Sequence, residues 1–149
     1  WKMMVIHLKS SSGHDSTSIM QADARQTRTV QAEVCSHWLD SLVKSSREKD
    51  VVIVGDFNDF PTRKTNPTLT SLVENTQAEF LTIESKSCKN DKWFGIDHIV
   101  CSNSAKKRFV TGSDRSINFY SQLSKNQADK ISDHCPVLVD FDVSAPDND

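Results

Sequence analysis

Residues 51–60 read VVIVGDFNDF, and this stretch decides how the fold is interpreted. Its first four residues are all apolar and β-branched, which is typical of a strand covered on both faces of a sheet. A glycine follows, and then Asp56, Asn58 and Asp59 come within four residues. Short polar side chains at the end of a buried strand form either an ordinary turn or a site held at the strand's tip.

The composition is that of one globular domain. The chain has 149 residues, 36% of them hydrophobic and 26% charged, which is enough to bury a core. The net charge of −2 gives no broad basic surface for nucleic acid or an anionic membrane, although a local nucleic-acid site is compatible with it. No apolar run approaches the length of a membrane span, so the sequence predicts a soluble protein.

The chain begins at Trp1, inside a segment that the pattern predicts as a strand. A signal peptide before it would not appear in this sequence, so the sequence does not indicate a compartment. The four cysteines form neither a C-x-x-C pair nor a zinc-ligand spacing. A disulfide between Cys88 and Cys101 is one interpretation, and separate buried thiols are the interpretation we favour.

Hydrophobic patterning predicts an α/β layered domain with a β-α-β order at its start. Strands are expected at residues 3–8, 51–54, 78–83, 95–101 and 136–143, with a weaker one at 108–111. A long amphipathic helix is expected over residues 21–46, because Val30, Val34, Trp38 and Leu42 recur four apart. Shorter helical segments are expected at residues 68–74 and 126–130.

Polar residues recur at the boundaries of these strands, where the loops of an α/β sheet converge on one crevice. They are His7, Asp56, Asn58, Asp97, Asp133 and His134. Each has an ordinary structural explanation by itself, such as an Asx turn at Asp56 or a surface position for His134. Together they match what hydrolysis of a phosphodiester requires.

Attack of water on a phosphodiester builds negative charge on the phosphoryl oxygens. Carboxylates such as Asp56 and Asp133 can hold Mg²⁺, which neutralises that charge. The imidazole of His134 can take a proton from water or donate to the phosphate, and Asp97 behind it would fix its tautomer. Asn58 can donate a hydrogen bond to a phosphoryl oxygen without adding charge.

In this order, the segments HLKS, RTVQAE, VVIVGDFND, FGIDHIV and ISDHCPVLVDF resemble the endonuclease/exonuclease/phosphatase family, which includes deoxyribonuclease I and exonuclease III-type repair nucleases. The resemblance runs from His7 to Phe141. It implies the C-terminal part of a four-layered α/β sandwich, a mixed β-sheet flanked by helices, over residues 1–143, followed by a flexible tail at residues 144–149. The family's N-terminal half, which supplies an asparagine and a metal-binding glutamate, has no counterpart here. Three interpretations are open: the half is a separate segment or chain, it lies outside this sequence, or the chain is a half-domain that no longer catalyses. We favour a fragment of an active enzyme.

The resemblance implies a Mg²⁺-dependent phosphodiesterase, foremost a DNA or RNA endonuclease, with Mn²⁺ as a substitute metal. Asp133 and Asp56 are expected at the metal, and the expected catalytic residues are His7, Asp56, Asn58, Asp97 and His134. A phosphatase or sphingomyelinase-type hydrolase of the same family is the first alternative. A catalytically inactive half-domain that serves as a binding module is the alternative of another class.

Three further residues are candidates for substrate binding. Arg63 and Lys64, in the loop after GDFND, could contact a nucleic-acid backbone, although solvated surface positions are the more ordinary interpretation. Trp93 could stack on a base or sugar, and a core position is an equal alternative. His98 follows Asp97 in a strand and so points to the opposite face, which predicts a structural role.

Overall fold

The structure, a computed structural model, describes residues 1–11 and 17–144. These residues form an α/β fold with a mixed four-stranded sheet, helices and a small two-stranded sheet. Of the expected tail, residues 145–149 lie outside the described part of the chain. In chain order the elements are β1 (Lys2–His7), α1 (Ser18–Ser45), β2 (Val51–Asp56), α2 (Thr70–Val73), β3 (Ala78–Phe80), β4 (Asp97–Ser102), α3 (Asn103–Lys106), β5 (Arg115–Ser116), a 3-10 helix (Phe119–Ser121), α4 (Lys125–Ile131) and β6 (Val137–Leu138).

The four-stranded sheet has the order β1-β2-β4-β3 and brings the ends of three strands together. β1 runs parallel to β2 through the α1 crossover, which confirms the predicted β-α-β order, and the other pairs are antiparallel. In this register His7 lies opposite Asp56, and Asp56 lies opposite Asp97. Residues directly opposite each other share a face of the sheet, so all three side chains project from the same face.

Both faces of β2 are covered, as its apolar sequence predicts. On one face, Val51 and Ile53 pack with Leu39 of α1 in the larger core cluster. On the other face, Val52 packs with Cys101 in a second cluster that Phe109, Val139 and Phe141 help to close. The site at the tip of β2 is therefore mounted on a strand that is packed on both sides.

Helix α1 begins where the Thr17 side chain accepts a hydrogen bond from the Met20 backbone N–H at 3.2 Å. The predicted apolar row is wrong at its first half, since Val30 and Val34 are exposed. Residues four apart drift by about 40° around a helix at each step, so only the second half of the row, Trp38 and Leu42, reaches the core cluster. The buried face carries the large apolar residue Leu39 together with small or hydrogen-bonded residues, namely Ala24, Arg28, Ala32, Cys35 and Ser36.

Three predicted strands are shorter or absent. The strand expected at residues 78–83 ends at Phe80, and that expected at residues 136–143 is reduced to β6 plus one bridge from Phe141 to Phe109. The weak strand expected at residues 108–111 is reduced to that same bridge, in which Val110 N–H donates to the Asp140 carbonyl at 2.9 Å and Asp142 N–H to the Arg108 carbonyl at 2.7 Å. The backbone turns on either side of the bridge, because Arg108 N–H donates to the Ala105 carbonyl and Ser113 N–H to the Val110 carbonyl.

The cysteine pairing also differs from both interpretations of the sequence. Cys88 forms a disulfide with Cys135, with 5.7 Å between their Cα atoms, while Cys35 and Cys101 are buried free thiols. Cys101 cannot pair with Cys88 here because it lies inside β4, in the core cluster next to Val52. Among the described residues, no helix is both long and apolar enough to cross a membrane.

Candidate active site

Asp56 ends β2 and starts a tight polar turn. Its Oδ1 accepts a hydrogen bond from the Asn58 backbone N–H at 2.7 Å, and its Oδ2 accepts one from Asn58 Nδ2 at 2.9 Å. Asn58 Nδ2 also donates to the Leu8 carbonyl at 3.0 Å, which ties the turn to the end of β1. Both Nδ2 hydrogens are thus used inside the protein, so this geometry leaves none for the phosphate contact expected of Asn58.

Gly55 makes this strand end possible. Its φ is +137°, and a Cβ placed on it would lie 2.0 Å from the Ile6 carbonyl oxygen of β1. Any side chain would therefore push β1 away from β2. The glycine of the GDFN motif keeps the two strands paired up to His7 and Asp56.

Asp97 and His134 form the closest pair in the site. His134 Nδ1 donates to Asp97 Oδ2 at 2.7 Å, and both side chains are partly buried. The segment that carries His134 is itself held, because the His134 backbone N–H donates to Ser132 Oγ at 3.0 Å. With Nδ1 carrying the proton toward a carboxylate, Nε2 is the atom left to accept a proton from a reactant.

The electrostatics of this pair suit a proton acceptor. Burial raises the pKa of Asp97, and Asp56 and Asp133 add to that rise, while His134 partly offsets it. Burial by itself would lower the pKa of His134, but the charge and hydrogen bond of Asp97, with Asp56 and Asp133, outweigh it and raise the pKa. A raised pKa makes His134 a stronger base.

Donor atoms of Asp56, Asp97 and His134 all lie within 4.8 Å of one another, which makes this cluster the centre of the site. His7 joins it from β1, with Nε2 3.5 Å from Asp56 Oδ2 and a side chain that is 73% exposed. Asn58 is bonded to Asp56 as well. Five of the predicted residues therefore lie together: His7, Asp56, Asn58, Asp97 and His134.

Asp133 lies outside this cluster. Its side chain is 68% exposed, 3.8 Å from Lys89 Nζ and 4.0 Å from His134 Nε2. The carboxylate that shares the cluster with Asp56 is Asp97, which had been expected only to orient the histidine.

The donor chemistry fits a hard divalent cation in part. Mg²⁺ is commonly held by one or two carboxylates, with water and substrate phosphate filling the remaining positions, and Asp56 and Asp97 offer such a pair. The imidazole of His134 is a poorer ligand for Mg²⁺ and is already engaged with Asp97. Asp56 and Asp97 are therefore the residues that would hold the ion.

The three candidates for substrate binding have different positions. Trp93 is exposed and lines a cavity of about 230 Å³ together with Phe94, Asp97 and His134, so it borders the site. Arg63 donates from Nε to Asp59 Oδ1 and lies 4.3 Å from the centre of the Phe60 ring. Lys64 is exposed and does not line the cavity beside His134.

His98 has the structural position that strand alternation predicts. It is buried on the opposite face of β4, between Phe57 and Phe80, with Nδ1 3.3 Å from the Thr82 carbonyl. Burial lowers its pKa to about 4, so it is neutral at physiological pH.

Sequence reasoning missed the polar network that supports the GDFND turn. Asp59 is fully buried and accepts from the Thr68 hydroxyl at 2.6 Å, and the same hydroxyl accepts from Arg28 Nε at 2.9 Å. The signal was present in the pattern: Arg28 is spaced four residues from both Ala24 and Ala32, on the face that α1 buries.

Comparison with known proteins gives one kind of match. No protein-family model matches the chain, and no curated protein matches it. Among solved structures, the chain is similar to an endonuclease/exonuclease/phosphatase family protein from Bacteroides thetaiotaomicron, with 18% identity and a TM-score of 0.49. The match covers 81% of this chain and 46% of that one, so this chain spans less than half the length of that structure.

Proposed function

We propose that this protein is a metal-dependent phosphodiester hydrolase whose substrate is DNA or RNA. The observation that carries the proposal is the His134–Asp97 hydrogen bond of 2.7 Å, with Asp56 on the neighbouring strand in the same cluster. A base held by a carboxylate, next to a second carboxylate at a strand end, is a common arrangement for activating water. The family resemblance of the strand-end motifs points to the same chemistry.

In the proposed reaction, His134 Nε2 takes a proton from a water molecule as the water oxygen attacks phosphorus. A new P–O bond forms, the ester P–O bond opposite it breaks, the departing oxygen is protonated by solvent, and the imidazolium returns its proton to solvent. Asp97 balances the positive charge on His134 during this step. His7, exposed at the end of β1, is placed to donate to the phosphate. A divalent cation held by Asp56 and Asp97 would supply charge neutralisation at the phosphoryl oxygens.

Nicking of supercoiled plasmid by the chain in Mg²⁺, in Mn²⁺ and in EDTA tests the proposal. We expect nicking that depends on metal and falls by at least about 100-fold in His134→Ala, because a positioned general base contributes roughly that much. Asp56→Ala should abolish nicking, whereas Asp133→Ala should reduce it less, because Asp133 lies outside the cluster. Nicking that survives His134→Ala and Asp56→Ala equally well would come from a contaminant and would contradict the proposal.

A substrate panel separates the alternatives. A phosphatase or sphingomyelinase-type hydrolase would release phosphate from an inositol phosphate, or phosphocholine from sphingomyelin, with the same dependence on His134. A binding module would hydrolyse nothing in the panel while still retaining a nucleic acid or protein partner, and its binding would be unchanged by His134→Ala.

We further propose that the N-terminal half of the domain, as a separate segment or chain, packs on the outer face of β1. Met3 and Val5 support this, because their side chains project from the same face as His7 and are 64% and 76% exposed. Exposed apolar side chains next to one another on a sheet face are typical of an interaction surface.

A further inference from the structure

A second cavity, of about 300 Å³, shares no lining residue with the cavity beside His134. Three of its seven lining residues are arginines, and the other four are polar. They are Arg25, Arg28, Arg63, Ser11, Gln21, Thr65 and Asn66. No carboxylate and no apolar side chain is among them, so the walls offer mainly hydrogen-bond donors.

Arg28 forms a fixed wall of this cavity. It is only 3% exposed, and its guanidinium donates to the Lys9 carbonyl at 2.6 Å, to Thr68 Oγ1 at 2.9 Å and to Ser11 Oγ at 3.3 Å. These acceptors are neutral oxygens, so no carboxylate forms an ion pair with the guanidinium, which remains positively charged. The positive charge of Arg28 is therefore held in one position and is not neutralised by a bonded anion.

The charge balance of the cavity is positive. Asp59 Oδ1 accepts from Arg63 Nε. Arg25 forms no ion pair with any residue in the described part of the chain. Burial lowers the pKa of Arg28; Asp59 and, more weakly, Asp56 oppose that, and the charges of Arg63 and Arg25 lower it further. Among the described residues, three guanidinium groups against these two carboxylates leave a positive site that an anion would stabilise.

The same chain segments build this cavity and the candidate active site. Lys9, whose carbonyl accepts from Arg28, follows His7 by two residues, and Asp59, which anchors Arg63, directly follows Asn58. Asn58 in turn donates to the Leu8 carbonyl. An anion held by the arginines would therefore lie near the tips of β1 and β2, where Asp56 already acts electrostatically on Arg28.

We propose that Arg25, Arg28 and Arg63 form a binding site for a second phosphate group of the substrate, next to the phosphate that is hydrolysed. The proposal rests on the proposed function and narrows its substrate to a strand carrying several phosphates, such as a nucleic acid. Guanidinium groups match phosphate oxygens through paired, charge-assisted hydrogen bonds. Because contacts to phosphate carry no sequence information, binding of a phosphate at this cavity would be independent of nucleotide sequence.

Calorimetry of inorganic phosphate binding to the whole chain, in the presence of EDTA, measures the affinity of the site without any turnover. Arg25→Gln is the informative variant, because Arg25 has no ion pair to lose within residues 1–11 and 17–144. We expect it to weaken phosphate binding about tenfold, the effect of losing one charge-assisted hydrogen bond. Arg47→Gln, at an exposed arginine beyond the other end of α1, is the matched control and should bind as the unmodified protein does. Equal affinity in Arg25→Gln and the unmodified protein overturns the site.

Steady-state kinetics then test whether the phosphate belongs to the substrate. With an eight-nucleotide single strand, Arg25→Gln should raise KM about tenfold at unchanged kcat, while KM for bis(p-nitrophenyl) phosphate, which has one phosphate, should not change. Equal effects on both substrates overturn the second-phosphate role. If neither substrate is hydrolysed by any variant, the proposed function fails, and phosphate binding alone then decides whether the arginine site exists. An arginine site that binds an inositol polyphosphate but no oligonucleotide overturns the nucleic-acid assignment.

Discussion

Asp97 orients His134 Nε2 through a 2.7 Å contact, and it is also one of the two carboxylates that would hold the cation. At saturating Mg²⁺, we expect Asp97→Asn to lower kcat by roughly 100-fold or more while KM for nucleic acid and the unfolding midpoint change little, because the amide cannot balance an imidazolium. Kinetics on a plasmid or oligonucleotide, with urea unfolding alongside, provide the test. Asp91→Asn, at an exposed loop carboxylate, is the control. If kcat falls only as far as the fraction of folded protein falls, the role of Asp97 is structural and the prediction is wrong.

His98 gives the protein a specific sensitivity to acid. Its folded-state pKa is about 4, below the ordinary 6.5, so the unfolded chain binds a proton first as the pH falls. The contribution of neutral His98 to the unfolding free energy is therefore fully present above pH 6.5, and it is lost as the pH falls from there toward 4. By linkage the loss at pH 5 is about 2 kcal/mol.

Urea unfolding at pH 7 and pH 5 measures this loss. The unmodified protein should lose about 2 kcal/mol more than His98→Gln between the two pH values, since glutamine does not titrate. His37→Gln, at an exposed histidine of α1, should follow the unmodified protein. Identical pH dependence in His98→Gln and the unmodified protein would show that His98 is not the titrating group.

At this scale the sequence predicts positions better than contacts. Strand alternation is enough to place Asp97 and His98 on opposite faces of β4, because the period of a strand is fixed. Asp133 lies in a turn, where no such period sets the direction of a side chain, so its exposure could not be read from ISDHCPV. The sequence assigns Asn58 to the substrate because its acceptor at the Leu8 carbonyl lies 50 residues away in the chain, even though the turn at Asp56 is readable from the motif.

At the scale of elements, the Cys88–Cys135 disulfide joins the loop before β4 to the segment that carries His134. The two cysteines are 47 residues apart in sequence, and closing a loop of that length stabilises a fold by about 4 kcal/mol through chain entropy. Dithiothreitol should therefore lower the unfolding free energy by several kcal/mol and reduce turnover, because His134 directly precedes Cys135. Urea unfolding and plasmid nicking with and without the reductant measure both effects.

The double variant Cys88→Ser/Cys135→Ser is the matched control. It should begin at the lower stability and show no response to dithiothreitol, because its remaining cysteines, Cys35 and Cys101, are buried thiols. Mass spectrometry after alkylation of the unfolded chain should find two free thiols in the unmodified protein. Four free thiols without reductant would contradict the disulfide.

The elements themselves follow from local pattern, and their packing does not. The long helix, the buried strand at β2 and the β-α-β order were all predicted, since periodicity and β-branching act over a few residues. The buried face of α1 was misjudged because Val30 and Val34 look like core in isolation, while the sheet accepts small residues such as Ala32. The disulfide depends on contacts 47 residues apart, which spacing alone cannot supply.

At the scale of the whole molecule, the two faces of the four-stranded sheet are unequally covered at β1. Met4 and Ile6 point toward α1 and pack against the larger core cluster, while Met3 and Val5 point the other way and are exposed. β1 is also an edge strand of the sheet, paired only with β2 among the described residues. An apolar face at an open sheet edge is a template for association.

We therefore expect the isolated chain to self-associate through this face as its concentration rises, and Met3→Lys/Val5→Lys to shift it toward monomer. The substitutions should leave the unfolding free energy nearly unchanged, because both side chains already face solvent and a lysine at a sheet edge discourages pairing. Met4→Lys is the opposed control: it buries a charge against the core cluster and should unfold the domain. Sedimentation velocity over a hundredfold range of concentration, with urea unfolding of each variant, separates these outcomes. An unmodified chain that stays monomeric throughout would contradict the association through this face.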